Sequence, residues 1–245
     1  MNNYFIFYAL TLIAEILGTV SGFGSSILFV PLASIFLDFK LVLGVTAVFH
    51  VFSNLSKIFL FRNGIDRTVA LKLGIPAVIF VVLGALLTGL LPTALVELCM
   101  NIVLLALAIF LLRHTNQTLD RTDANLYGGG ALSGFLAGLV GTGGAIRGLT
   151  LAAFNLEKDI FIATSALIDL GVDFSRAVVY IWQGYFRAEH LVMVPFLIIV
   201  SLLGSWLGKL ALQKISQRNF KYIVLGVILL TTLIQLAKYL NQLRG

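Results

Sequence analysis

The sequence predicts an all-α polytopic membrane protein made of two pseudo-symmetric repeats, and three observations carry that prediction. Of its 245 residues, 59% are hydrophobic and 11% charged, whereas soluble domains carry about 25% charged residues. The apolar residues gather into stretches of about 20, enough for a helix to cross the hydrocarbon of a bilayer. A glycine cluster interrupts one such stretch in each half: Gly22-Phe23-Gly24-Ser25-Ser26 and, 119 positions on, Gly141-Thr142-Gly143-Gly144-Ala145. Two related halves that open on broken helices suggest a secondary transporter.

In chain order the apolar stretches are 4–37 (broken near Gly22), 41–61, 69–91, 94–112, 126–156 (broken near Gly141), 160–182, 191–212 and 220–240. Between the fourth and fifth lies the one extended polar segment, 116–125, with Thr118, Asp120, Arg121 and Asp123. It divides the chain into a first transmembrane repeat (1–115), a polar linker (116–125) and a second transmembrane repeat (126–245). The same 119-residue spacing aligns Leu32-Ala33 with Leu151-Ala152, Ala47 with Ala166, Asn54 with Asp173, Ser56-Lys57 with Ser175-Arg176, and Pro76 with Pro195.

No other segment is long enough for an aqueous domain, so function is placed inside the membrane. A net charge of +6 would suggest nucleic acid in a soluble protein. Here the basic residues sit mainly in short loops, where they set orientation, and no nucleic-acid partner is expected. The first stretch lacks the basic start and the small-residue cleavage site of a signal peptide, and is expected to remain as the first helix. Cys99 stands alone, which excludes an intrachain disulfide or a cysteine metal cluster, and no metal or cofactor is expected. HExxH, a P-loop and GxSxG are missing and the glycine-rich segments follow no strand, so an enzyme is not expected. Trp182 and Tyr185, at a helix end, are expected to anchor at the membrane interface.

Orientation depends on how the broken segments run. If each crosses once, the basic loop residues divide eight against six and barely orient the protein. If each turns back, or makes two short crossings, Arg62, Arg67, Lys72, Arg113, Arg121, Lys158, Lys209, Lys214, Arg218 and Lys221 share one side, against Lys40, Arg187, Lys238 and Arg244. Ten against four favours the second scheme, which makes the repeats inverted, the linker cytoplasmic and both termini external.

Glycines in the middle of an apolar segment weaken a helix, but unwound backbone is tolerated at membrane depth where it lines a protein-enclosed cavity. A chain restarting as helix after Gly24 or Gly144 points free N–H groups, at the positive end of the helix dipole, into that cavity and so attracts an anion. Ser25, Ser26 and Thr142 offer hydroxyls beside them. The alternative is that the glycines only let helices pack closely. His50, Asn54 and Lys57 share one helix face at i, i+4 and i+7, and their counterparts are Asp169, Asp173 and Arg176. Charges at this depth must face a cavity or one another; the alternative for Lys57 and Arg176 is snorkelling to the interface. Arg147 follows the second break, aligns with Leu28, and is explained by an anion beside it or by pairing with Asp169 or Asp173. Asp169, Asp173, His50 and Glu15 are candidates for proton coupling, against structural roles in salt bridges, hydrogen bonds or packing.

These residues resemble the TauE/SafE sulfite exporter family of anion transporters. The likeness covers nearly the whole chain and rests on 18–31 (GTVSGFGSSILFVP), 134–144 (GFLAGLVGTGG), the Ala47 and Thr164-Ser165 regions, and the duplicated four-segment layout. It implies export of sulfite, organosulfonates or similar sulfur-containing or carboxylate anions without ATP. Ser25-Ser26 stands where family members commonly continue the glycine run, and Thr150 replaces the repeat's proline, which bears on the choice of substrate.

The expected protein is therefore a multi-pass inner-membrane carrier of a small sulfur-containing anion, in contact with the lipid bilayer. Its oligomeric state is left open, a homo-oligomer included. Substrate contacts are expected from Gly22, Gly24, Ser25, Ser26, Lys57, Gly141, Thr142, Gly143, Gly144, Arg147 and Arg176. The rival readings are a carrier of a carboxylate or a cation, a passive anion channel, and a non-transporting assembly partner.

Overall fold

The computed structural model describes residues 2–21, 24–61, 64–113, 120–154 and 156–212. Gly22, part of the linker and the last apolar stretch, 220–240, lie outside the described residues. The described chain is α-helical throughout its regular parts: α1 (Asn2–Ser21), α2 (Ser26–Ala33), α3 (Phe39–Leu60), α4 (Arg67–Leu90), α5 (Thr93–Arg113), α6 (Asp123–Val140), α7 (Gly144–Ala152), α8 (Lys158–Trp182), a 3-10 turn (Ala188–Met193) and α9 (Val194–Leu212). The fold is all-α, as the composition requires.

Local chemistry sets the helix ends. Asp38 accepts from the Lys40 and Leu41 amides at 3.0 and 3.2 Å, Asp66 from Val69 at 3.0 Å, and Thr122 from Asn125 at 3.2 Å, which caps α3, α4 and α6. Pro195, in the first turn of α9, has no N–H to give the preceding turn, and that turn is the 3-10 segment. The α1, α2 and α3 boundaries Ser21, Ala33 and Phe39 recur at the 119-residue spacing as Val140, Ala152 and Lys158, boundaries of α6, α7 and α8.

The segment broken near Gly141 reverses direction. A Cβ at Gly143 would strike the Ser133 carbonyl and one at Gly129 the Thr150 side chain, so α7 runs antiparallel along α6. Beyond it, Arg121 Nε donates to the Ala153 carbonyl at 2.8 Å, which returns the chain to the end at which α6 began. In the first half, Gly18 abuts Ser25 and Phe29 packs edge-on against Phe7 at 5.8 Å, the same reversal of α2 along α1. At nine and eight residues, α7 and α2 are about 12–14 Å long and too short to cross hydrocarbon.

The halves interleave. α4 lies against α6 and α1 against α9, while α3 and α8 cross in the centre. Gly130, Gly134 and Gly138 meet the Leu73, Ala77 and Val81 carbonyls so closely that none has room for a Cβ, and Gly204 and Gly208 press likewise on Glu15 and Thr19. These are the close-packing glycines of apolar helix pairs. At one end of the molecule Lys209 Nζ donates to the Leu60 carbonyl at 2.6 Å and Lys72 pairs with Asp123 at 2.6 Å. At the other, Lys40 lies over the Tyr185 ring at 5.3 Å.

Three helical stretches among the described residues are long and apolar enough to cross a membrane: Phe39–Leu60, Arg67–Leu90 and Ala188–Leu212. The molecule is apolar outside, with Leu90, Val192 and Phe59 exposed, and charged within, with Glu15, Lys57, Arg147, Asp173 and Arg176 buried. That distribution suits lipid rather than water around it. Trp182 is exposed, as an interface anchor should be, but Tyr185 is not. It is 7% exposed and stacks on Tyr180 at 5.4 Å, because the turn after α8 folds inward against Gly44.

Candidate functional site

Both reversals are made by glycine in the left-handed region. Gly24 has φ +80° and Gly141 φ +81°, a conformation open to glycine at little cost. After each, a short helix restarts: α2 from Ser26, α7 from Gly144. Neither start carries a side-chain cap, so the first N–H groups of both are left to whatever faces them. Residues at both starts line one cavity. Gly24, Ser25 and Ser26 line it together with Gly143 and Gly144. His50, Asn54, Lys57, Arg147, Asp169, Asp173 and Arg176 complete the lining.

Three buried cations stand here, each on its own carboxylate. Lys57 Nζ is 2.8 Å from Glu15 Oε1, Arg147 Nη1 binds Asp169 Oδ1, and Arg176 Nη2 is 2.7 Å from Asp173 Oδ1. Lys57 and Arg176 are therefore held inward, which removes the snorkelling alternative. Arg147 takes the carboxylate pairing and also donates through Nε to Ser165 Oγ at 3.1 Å.

Arg176 Nη1 donates to the Ala137 and Gly141 carbonyls at 3.1 and 2.8 Å. It thereby sets a positive charge on carbonyls at the end of α6, where the helix dipole favours one. Tyr180 and Thr88 serve neighbouring carbonyls of the same turn, Tyr180 Oη donating to Gly138 at 2.5 Å and Thr88 Oγ1 to Leu139 at 2.9 Å. Arg176 Nε and the Thr142 hydroxyl remain buried donors with no partner among the described residues.

A guanidinium can only donate, so His50 Nδ1, 3.2 Å from Arg176 Nη2, is an acceptor. The proton of the neutral ring then lies on Nε2, which donates to Ser25 Oγ at 2.8 Å, and Ser25 donates onward to Glu15 Oε2 at 2.6 Å. Glu15 Oε1 accepts from Ser53 at 2.6 Å, Ser205 at 3.0 Å and Thr19 at 3.3 Å as well as from Lys57. Hydrogen bonds thus join Arg176 to Lys57 through His50, Ser25 and Glu15, with donation running into Glu15 from both ends. These two cations are counterparts at the 119-residue spacing.

Of the residues singled out in the sequence, Gly24, Ser25, Ser26, Lys57, Gly143, Gly144, Arg147, Arg176, His50, Asp169 and Asp173 meet around the cavity. Glu15 lies behind it, reached through Ser25 and Lys57. Gly141 forms the left-handed end of α6 instead of lining the cavity, and Gly22 lies outside the described residues. Ser25 lines the cavity, yet its hydroxyl proton is committed to Glu15. Sequence reasoning missed Thr19, Ser53, Ser165 and Ser205 as ligands of the charged groups. Ser53, four residues before Lys57 on one helix face, was the one with a readable signal.

A family description, Sulfite exporter TauE/SafE, matches residues 7–234. The chain is also similar to the probable membrane transporter protein MJ0441 of Methanocaldococcus jannaschii, with 27% identity over 240 residues, 88% of this chain and 89% of that one. No solved structure matches.

Proposed function

This chain belongs to the sulfite exporter TauE/SafE family, and from that premise we propose that it exports a small sulfur-containing anion, sulfite or an organosulfonate, by alternating access across the inner membrane. That it is a membrane transporter, and not an enzyme, follows from the family. The observation that carries the finer reading is the convergence of two uncapped helix starts and three buried cations on one cavity. Backbone N–H groups and a guanidinium fork suit a tetrahedral or trigonal oxyanion.

We read the architecture as two inverted repeats in 1–115 and 126–245, joined by a cytoplasmic linker. Each half opens with a reversed pair, α1–α2 or α6–α7, that enters and leaves on one side. The antiparallel course of α7 and the Arg121–Ala153 bond support this arrangement. It is the scheme with ten basic residues inside against four.

Uptake and counterflow in proteoliposomes test the function, with sulfite, thiosulfate, sulfonates and carboxylates compared. Saturable counterflow of sulfite or a sulfonate is expected. Counterflow of carboxylates alone would move the chain to another substrate class, and unsaturable flux without counterflow would make it a channel.

A further inference from the structure

We propose that Asp169 is the proton acceptor of this site, surrendering Arg147 to the anion as it takes up a proton, so that one proton accompanies each monoanion. The inference rests on the anion-carrier reading above.

Charge balance gives the first argument. Among the described residues the buried ion pairs set Glu15, Asp169 and Asp173 against Lys57, Arg147 and Arg176, and the hydrogen bonds leave His50 neutral. An arriving monoanion would place one uncompensated negative charge in surroundings poor in water, which is costly. A proton taken up by one carboxylate restores neutrality.

The hydrogen bonds say which carboxylate gives way. Glu15 accepts from Lys57, Ser53, Ser205, Thr19 and Ser25, and all of them would lose by its protonation. Asp173 accepts from Asn54 at 2.7 Å and holds Arg176, which also caps α6. Asp169 has a single partner among the described residues, Arg147. Its side chain is also the most open of the three carboxylates, 12% exposed against 0% for Glu15 and 6% for Asp173.

Position gives the third argument. Asp169 lines the main cavity and also a second, smaller one, which reaches Gly18, Thr19, Ile162 and Ser165. It therefore stands between two small spaces, as Gly24, Asn54 and Lys57 also do, and is the carboxylate that lines both. Arg147 is poised for the exchange. Ser165 holds its Nε, and its Nη2 faces Gly24, where an added Cβ would sit 3.5 Å from that nitrogen and 3.8 Å from Asp169 Oδ2. Once Asp169 is neutral, the guanidinium keeps its Ser165 anchor and turns its two terminal nitrogens to the anion.

Arg147 on α7, Lys57 on α3, and Asp173 and Arg176 on α8 itself surround Asp169 electrostatically. From α4, Gly74 and Val78 bring only apolar contact, to Ile168 and Gly171. The ion pair with Arg147 is the direct hold on the Asp169 carboxylate. When the anion takes Arg147, that hold weakens and the proton binds, and by linkage the proton strengthens anion binding equally.

The test uses methanesulfonate, a monoanion whose charge does not change around neutral pH, with the purified full-length protein. Calorimetry of its binding in two buffers of different ionisation enthalpy counts the protons taken up. About one proton per anion is expected by linkage, and none would overturn the proposal while leaving the carrier reading intact. Asp169→Asn, which mimics the neutral acid, should bind methanesulfonate about tenfold more tightly at neutral pH and with no pH dependence. In liposomes it should no longer accumulate methanesulfonate under a pH gradient, and accumulation like that of the native protein would overturn the proposal. If the variant does not fold, the proton count on the native protein decides alone. A native protein that binds neither methanesulfonate nor sulfite refutes the anion reading itself.

Discussion

Asn54 Nδ2 donates to Asp173 Oδ2 at 2.7 Å, and the two residues are 119 positions apart in sequence, the spacing that separates the two glycine clusters. Counterparts under a two-fold relation touch only where they flank its axis. In the proposed inverted repeat the axis therefore passes between α3 and α8 at the wall of the cavity, and these two counterparts differ as amide against carboxylate.

Asn54→Asp tests that difference. It sets two carboxylates at hydrogen-bonding distance, where they must share a proton. Sulfite or sulfonate affinity should fall about tenfold or more at neutral pH and recover on acidification, since one unit of displaced protonation is a factor of ten. Binding measured across pH checks it, and a wild-type profile would separate this pair from the site.

The apolar lengths, the two glycine breaks and the spacing of the ionisable positions were legible in the sequence, because hydropathy and glycine in an apolar run are strong local signals; whether a break turns the chain back or makes two short crossings was not. The interleaving of α4 with α6 and α1 with α9 was not. Gly130, Gly134 and Gly138 have the spacing of a packing face, but spacing cannot name the partner helix. The ligands of Glu15 were hidden for a related reason. Thr19, Ser25, Ser53 and Ser205 come from four elements, and although Ser25 beside the break and Ser53 one turn from Lys57 could be noticed, no periodic pattern links the four to Glu15. Tyr185 misled because an aromatic at a helix end reads the same whether the next turn folds outward or, as here, back over Tyr180.

Glu15→Gln should destabilise the protein by about 3–5 kcal/mol, because Lys57 would be left buried without its counter-charge. Glu15→Gln with Lys57→Met should recover most of that loss. Thermal unfolding in detergent measures both, and a single variant as stable as the native protein would show that the pair does not hold α1 to α3.

Topology is checked by impermeant thiol labelling on a Cys99→Ala background. Arg187→Cys, exposed beside Glu189, should label from outside intact cells, whereas Asp120→Cys should be protected until the membrane is opened. The reverse pattern would turn the protein over and undo the cytoplasmic assignment of the linker.

Gly143 and Gly24 separate the two readings of a glycine break, and the structure assigns them different outcomes. A Cβ at Gly143 would run into the Ser133 carbonyl on α6, so Gly143→Ala should lower the yield of folded protein, as a packing glycine does. At Gly24 the Cβ would enter the cavity, 3.5 Å from Arg147 and 3.8 Å from Asp169. The cost there is backbone strain of about 1–2 kcal/mol at positive φ, small enough for the protein to fold. Gly24→Ala should therefore keep a monodisperse fraction that has lost anion affinity, because the methyl group occupies the space between the α2 start and the guanidinium. Anion affinity measured on the monodisperse fraction of each variant decides it. Native affinity in folded Gly24→Ala would mean that the anion is held elsewhere than on the α2 break.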